Sequence, residues 1–91
     1  MKILEARCAY RSLQNLQSGD QIEFKCGDQT CLKMVISVRK YPTISDMLEN
    51  EYISQLLPGV SSYAEAFKIY SNIYSIEKVK QNGGMIVFEL E

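Results

Sequence analysis

The side chains best suited to chemistry stand at the start of this sequence, where Lys2, Glu5 and Arg7 lie close together. Residues two apart in a strand share a face, so Glu5 and Arg7 are expected to pair. Lys2 is three positions before Glu5 and so falls on the opposite face, and it can reach the pair only if its long side chain wraps around the start of the strand. An arginine can form two parallel hydrogen bonds to a phosphate or a base edge, and a lysine adds a point charge. A lysine whose pKa is lowered by burial and by a neighbouring arginine can also act as a base. The alternative is a surface ion pair that contributes little to stability.

A second basic and aromatic group, Arg39, Lys40 and Tyr41, stands at the end of the clearest strand pattern. Positive charge beside an aromatic ring is typical of contacts with the backbone and bases of single-stranded RNA. The alternative is a solvated strand end in which Tyr41 covers the core. Both readings stay open at the level of the sequence.

Charge and composition narrow the classes of function. Residues 1–40 carry seven basic and four acidic side chains, whereas residues 41–91 carry three and seven. A site for a polyanion is therefore expected on the N-terminal half, unless the two halves simply attract each other. The sequence has no histidine, which removes the commonest general base and the commonest zinc ligand. Neither a metal nor a cofactor is predicted.

Cysteine usage and hydropathy indicate the expected cellular compartment. Cys8, Cys26 and Cys31 make an odd count without a visible secretory signal, which favours free thiols in the cytoplasm or another reducing intracellular compartment. Their spacing matches no metal knuckle, and core or turn positions are the better interpretation. No apolar run approaches the roughly 20 residues that a membrane span needs, so no membrane partner is predicted.

The elements that must position these residues follow from periodicity. Strands are predicted over 2–7, 21–25, 32–39 and 85–90, the last apolar on both faces and therefore central. In the third strand, one face is predicted to hold Leu32, Met34, Ile36 and Val38. A hairpin turn is predicted at Cys26–Gln29. Phe24 is predicted to point inward.

Helices are predicted between the third and fourth strands. A short one begins after a cap at Thr43 or Ser45, and the longest begins after Ser61 or Ser62. The longest carries an apolar stripe of Tyr63, Ala66, Phe67, Tyr70, Ile73 and Tyr74. Further helical turns are predicted over 11–17 and 75–82. This order predicts a single α+β domain over residues 1–91, with a sheet curled into a partial barrel and helices packed against it.

Several stretches, taken in order, resemble the ASCH family. The opening Lys2–Arg7 matches its Lys-x-x-Glu-x-Arg motif, and Gly19–Phe24 matches its Gly-Asp-x-Ile-x-Phe step. The family's helix motif corresponds to Thr43–Glu51, and its closing helical motif corresponds to Tyr70–Glu77. The resemblance implies a small, partly open PUA-like β-barrel and a cleft beside the opening motif. Family members usually carry a strand and a helix before the lysine, and that lead-in is missing from this sequence.

Three functions of different classes are considered, of which the resemblance implies the first two and the missing lead-in suggests the third. The first is an RNA- or nucleotide-binding module that uses Lys2, Glu5, Arg7, Arg39, Lys40 and Tyr41. The second is a metal-independent amidohydrolase acting on N4-acetylcytidine-like nucleosides, with Lys2 and Glu5 as candidate catalytic residues. In that branch of the family a threonine and an acid complete the site, but here Glu5 replaces the threonine and no carboxylate stands near Pro58. Glu49 or Glu51 is the alternative acid. The third is a homodimer, or a complex with a partner chain, through an exposed strand edge.

Overall fold

The structure, a computed structural model, describes residues 3–91, without the side chains of residues 3, 24 and 26. Its four strands are β1 (Ile3–Cys8), β2 (Gln21–Cys26), β3 (Gln29–Tyr41) and β4 (Met85–Leu90). They form one antiparallel sheet in the order β1-β4-β3-β2. The sheet is open, and β1 and β2 are its edges among the described residues. The predicted α+β class is confirmed.

Four helices connect β3 to β4: α1 (Ile44–Asn50), α2 (Ile53–Leu56), α3 (Tyr63–Ile73) and α4 (Ile76–Gln81). The hydroxyls of Thr43, Ser62 and Ser75 cap α1, α3 and α4, each accepting a hydrogen bond from a backbone N–H in the first turn. The predicted caps are confirmed: Thr43, from the pair Thr43 or Ser45, caps α1, and Ser62, from the pair Ser61 or Ser62, caps α3. The helix predicted over 11–17 is only a 3-10 turn at Arg11–Leu13.

The two faces of the sheet are covered differently. The four helices cover one face, which we name the helix face, and its buried core includes Met47, Tyr70, Met85 and Val87. Residues 9–20, which join β1 to β2, cover the other face, which we name the connection face. There Leu13 and Leu16 pack against Ile86, Phe88 and Leu90. The predicted central position of β4 is confirmed, since its apolar side chains are buried on both faces.

The predicted apolar face of β3 is wrong. A bulge between Val35 and Ser37 shifts the register, so the side chains before and after it change faces. Val35 is fully buried, whereas Leu32 is 64% exposed and Met34 is 48% exposed. The first half of β3 pairs with β2, and the second half pairs with β4. The β2–β3 hairpin thus extends past the end of β4, where no helix covers it.

The predicted stripe of α3 is only partly buried. Its middle, Ala66 and Tyr70, lies in the core, as does Tyr74, but Tyr63 and Ile73 are 42% and 57% exposed. The stripe is therefore buried at Ala66, Tyr70 and Tyr74 and exposed at Tyr63 and Ile73. The prediction for Phe24 lies outside the described side chains. No helix among residues 3–91 is long and apolar enough to cross a membrane.

Candidate nucleic-acid interface

The opening motif lies on an edge strand. Glu5 and Arg7 share one face of β1, and a guanidinium nitrogen of Arg7 lies 3.5 Å from a carboxylate oxygen of Glu5. Their pairing across one strand face is confirmed. Both side chains are partly exposed, at 33% and 48%, so solvent screens the pair and its contribution to stability is small. Lys2 lies outside the described residues.

The second group divides between the two faces of the sheet. Arg39 lies opposite Val87, which belongs to the helix-face core, and Lys40 lies opposite Ile86, which belongs to the connection-face core. Tyr41 returns to the helix face, where its ring packs partly against the core. Adjacent residues in a strand point to opposite faces, so a run of three in sequence is not a cluster in space.

On the helix face, Arg39 and Tyr41 both bind Glu51, which directly follows α1. The Arg39 Nε donates to one carboxylate oxygen at 2.5 Å, and a terminal guanidinium nitrogen donates to the other at 2.8 Å. The Tyr41 hydroxyl also donates to Glu51, and the other terminal nitrogen of Arg39 donates to the Ser37 hydroxyl at 2.8 Å. The Glu51 side chain is only 5% exposed. The arrangement holds the end of α1 against β3.

Electrostatics keep Glu51 and Arg39 ionised and Tyr41 neutral around neutral pH. Burial pushes the pKa of Glu51 upward, but hydrogen bonds from Arg39 and Tyr41 outweigh it, and the net pKa is lowered. The hydrogen bond to Glu51 raises the pKa of Arg39. Burial, followed by the hydrogen bond to Glu51, raises the pKa of Tyr41. With a lowered pKa and three hydrogen bonds to accept, the Glu51 carboxylate is a poor general base.

Two of the predicted cationic residues come together on the connection face. Arg7 and Lys40 both lie opposite Ile86, one on each side of β4, so the three residues form one row across the sheet. Two strand spacings place the Cα atoms of Arg7 and Lys40 about 10 Å apart. The Lys40 ammonium donates to the Gln14 carbonyl at 2.9 Å, which places it at the border of the connection. The sequence alone does not indicate this row, because it depends on how β1 and β3 align with β4.

Charge is divided between the layers of the protein. The helical segment, residues 42–84, has five acidic and three basic side chains, a balance of −2. Among the described residues, the basic ones on the connection face or on the connection itself are Arg7, Arg11, Lys33 and Lys40. The acidic ones are Glu5 and Asp20, so the balance there is +2. An anionic ligand is therefore attracted to the connection face and repelled by the helices.

The connection that borders this row is rich in uncharged polar residues. Its exposed side chains include Ser12, Gln14, Asn15, Gln17 and Ser18. The side-chain amide of Gln14 donates to the Ala9 carbonyl at 3.0 Å, and the Gln17 backbone N–H donates to Asp20 at 2.8 Å. These bonds give the connection a defined shape. Amide and hydroxyl groups both donate and accept hydrogen bonds, as base edges require.

The structure also contains a cavity away from the predicted site residues. It has a volume of about 740 Å³ and lies between residues 42–46 and the helices α3 and α4. Its walls are mostly apolar, and Asp46 and Lys80 are its charged members. None of the described residues predicted for ligand binding lines it. Among the described residues, no group of three or more possible metal ligands comes together.

Comparisons with known proteins support the fold. No family model matches the sequence, and no curated protein matches it. The crystal structure of hypothetical protein PH0355 superposes with a TM-score of 0.83 at 33% identity, over 97% of this chain and 79% of that one. The chain belongs to the same family as PH0355. The solution NMR structure of protein PF0455 from Pyrococcus furiosus is also similar, with a TM-score of 0.76 and 31% identity over 98% of this chain and 78% of that one.

The PH0355 family supplies an architecture, and neither relative has a functional name. Sequence reasoning did not find the Arg39–Glu51 pair, because twelve positions separate the two residues. It considered Glu51 only as a replacement acid. The strongest signal available in sequence was the excess of basic residues over positions 1–40.

Proposed function

We propose that this chain is a small ASCH-type module with a PUA-like fold that binds single-stranded RNA, or nucleotides of the same chemistry, through its connection face. The observation that carries the proposal is the row of Arg7 and Lys40 across β4, on the connection face, where the described residues have a positive charge balance. Both side chains are exposed and long enough to contact one extended phosphate backbone. In this proposal Arg11 adds a third cation from the connection.

The ion pair with Glu5 partly neutralises Arg7, which limits the expected strength of RNA binding. Glu5 already pairs with Arg7, so Arg7 contributes less than a free arginine, and Lys40 carries more of the contact. The uncharged residues of the connection offer donors and acceptors to splayed bases. The expected result is salt-dependent binding with modest dependence on sequence.

Two further observations are compatible with the proposal. The carboxylate of Glu51 is occupied by three hydrogen bonds, which leaves Glu49 as the free acid for the amidohydrolase alternative. Cys8 and Cys31 are free thiols, which supports work in the cytoplasm or another reducing intracellular compartment.

A fluorescence-anisotropy titration with labelled single-stranded RNA at two salt concentrations tests the proposal. The variant Arg7→Ala/Lys40→Ala is compared with Lys68→Ala/Lys80→Ala, which removes the same charge from the exposed side of α3 and α4. We expect the first variant to bind more weakly, and its logarithmic salt slope to fall by about 1.4, or about 0.7 per lost phosphate contact. The control should bind like the wild type.

Absence of RNA binding at low salt refutes the proposal, and so does an equal loss in both variants. Competition with adenosine monophosphate and with inorganic phosphate separates recognition of a nucleotide from recognition of phosphate alone. Lys2→Ala tests the remaining residue of the opening motif in the same assay.

A further inference from the structure

The two edges of the sheet differ in how open they are. The Ala9 N–H donates to the Gly84 carbonyl, so along β1 the backbone groups that point away from β4 belong to Leu4, Ala6 and Cys8. Leu4 and Cys8 are buried, and helix α2 packs close to this strand. The β1 edge is therefore largely covered.

The β2 edge is open. The Val35 N–H donates to the Asp20 carbonyl, so along β2 the outward backbone groups belong to Gln21, Glu23 and Lys25. All three residues are exposed. Among the described residues, no backbone or side-chain group bonds to their outward N–H and C=O groups. An open row of this kind is a template for another strand unless its side chains oppose pairing.

The charges along this edge complement a second copy of themselves. Glu23 and Lys25 lie two residues apart on the same face of β2. If a second β2 runs antiparallel about a twofold axis at position 24, Glu23 of each copy lies directly opposite Lys25 of the other. Both residues of each pair point their backbone groups across the new boundary, so the same register also gives two hydrogen bonds at each pair. Among the described residues neither side chain forms an ion pair within the chain.

We infer that β2 is the interface of a twofold homodimer, in which two copies join edge to edge into one eight-stranded sheet. A C2 interface requires a surface that complements itself. The Glu23–Lys25 pattern complements itself only when the twofold axis lies at position 24. A shift of the axis to position 23 or 25 places like charges directly opposite, which is unfavourable. The inference is independent of RNA binding, because it uses no residue of the Arg7 and Lys40 row.

A charge-reversal series tests the dimer. Sedimentation equilibrium over a range of protein concentrations measures the dimer Kd for the wild type, Glu23→Lys, Lys25→Glu and the double variant Glu23→Lys/Lys25→Glu. Each single change replaces two attractive pairs by two repulsive pairs and should raise the Kd about tenfold or more. The double variant restores opposite charges in the same register and should return the Kd to near the wild-type value. Circular dichroism of each variant checks that these exposed substitutions leave the fold intact.

Crosslinking locates the contact directly. A zero-length carbodiimide reagent joins a carboxylate to an amine in contact, so we expect a peptide linking Glu23 of one copy to Lys25 of the other. Mixing unlabelled and ¹⁵N-labelled protein distinguishes this peptide from a link within one chain. A monomer at all concentrations overturns the inference. A dimer that the single reversals leave unchanged, or one whose crosslinks map to other residues, overturns it as well.

Discussion

Replacing Glu51 by glutamine should destabilise the fold by about 2–3 kcal/mol. Glu51→Gln keeps the size of the side chain but places an amide donor against the guanidinium of Arg39, where two hydrogen bonds of 2.5 and 2.8 Å now exist. Hydrogen bonds to charged groups contribute about 1.5–3 kcal/mol, and removing one partner of a fully buried pair costs about 3–5 kcal/mol. The expected loss lies below the upper figure because the Arg39 side chain keeps 36% of its surface in water.

Urea unfolding measures this loss, with Glu49→Gln as the matched control. Glu49 lies in the last turn of α1, two residues before Glu51, but is exposed, so its replacement should change the free energy of unfolding by less than about 0.5 kcal/mol. A double-mutant cycle with Arg39→Met should give a coupling energy of about 1 kcal/mol or more. If Glu51→Gln is as mild as the control, or if the two changes at Arg39 and Glu51 are additive, the pair does not anchor α1 as described.

The pH dependence of the same variant gives a further check. The pKa of Glu51 is lowered from its ordinary value of 4.5. The stability from the ionised carboxylate is therefore fully present above about pH 4.5 and is lost as pH falls through the folded pKa. The difference between wild type and Glu51→Gln should shrink in acid. A difference that stays constant down to pH 2 would contradict the assignment.

Three other perturbations have definite outcomes. Gly84→Ala should lower the free energy of unfolding, measured by heat or urea, by about 3 kcal/mol or more. The added Cβ would lie 2.1 Å from the Tyr41 carbonyl oxygen, and the backbone of Gly84 has a φ of +120°. Gly59→Ala is the control and should cost less, because a Cβ there meets open space. Ser75→Ala should cost about 1 kcal/mol, since its hydroxyl caps α4, and no change in the unfolding midpoint would refute that role. Burial raises the pKa of Tyr70 to about 12. Stability is therefore retained below pH 10 and falls as pH rises toward 12, and this fall should be weaker in Tyr70→Phe.

Local signals predicted most of the secondary structure. Alternation placed β1 and β2, a run that is apolar on both faces placed β4, and the capping residues placed the starts of α1 and α3, because these features depend on a few neighbouring residues. The hairpin at Gly27 was also predicted correctly, and its φ of +66° is one that glycine adopts readily. The short helix α2 was not predicted. A helix of four residues leaves too little periodicity to detect.

The site could be predicted only in parts. The pairing of Glu5 with Arg7 follows from their spacing on one strand, and the structure confirms it. The bulge in β3 left no local signal, so the exposure of Leu32 and Met34 was missed. The bulge is decided by pairing with β4, whose paired residues Glu89 and Leu90 lie more than fifty positions away along the chain. The cavity beside Asp46 could not be predicted either, since it depends on how α3 and α4 pack.

The sequence by itself determined the α+β composition, the sheet-forming segments and the excess of positive charge over residues 1–40. Each of these depends on side-chain type and spacing along the chain. Only the tertiary structure decided which of the charged residues meet. It separated Lys40 from Arg39 and Tyr41 and placed it in one row with Arg7, and it enclosed Glu51 between Arg39 and Tyr41. The physical reason is that strand register and layer packing, set by contacts distant in sequence, fix the face on which each side chain lies.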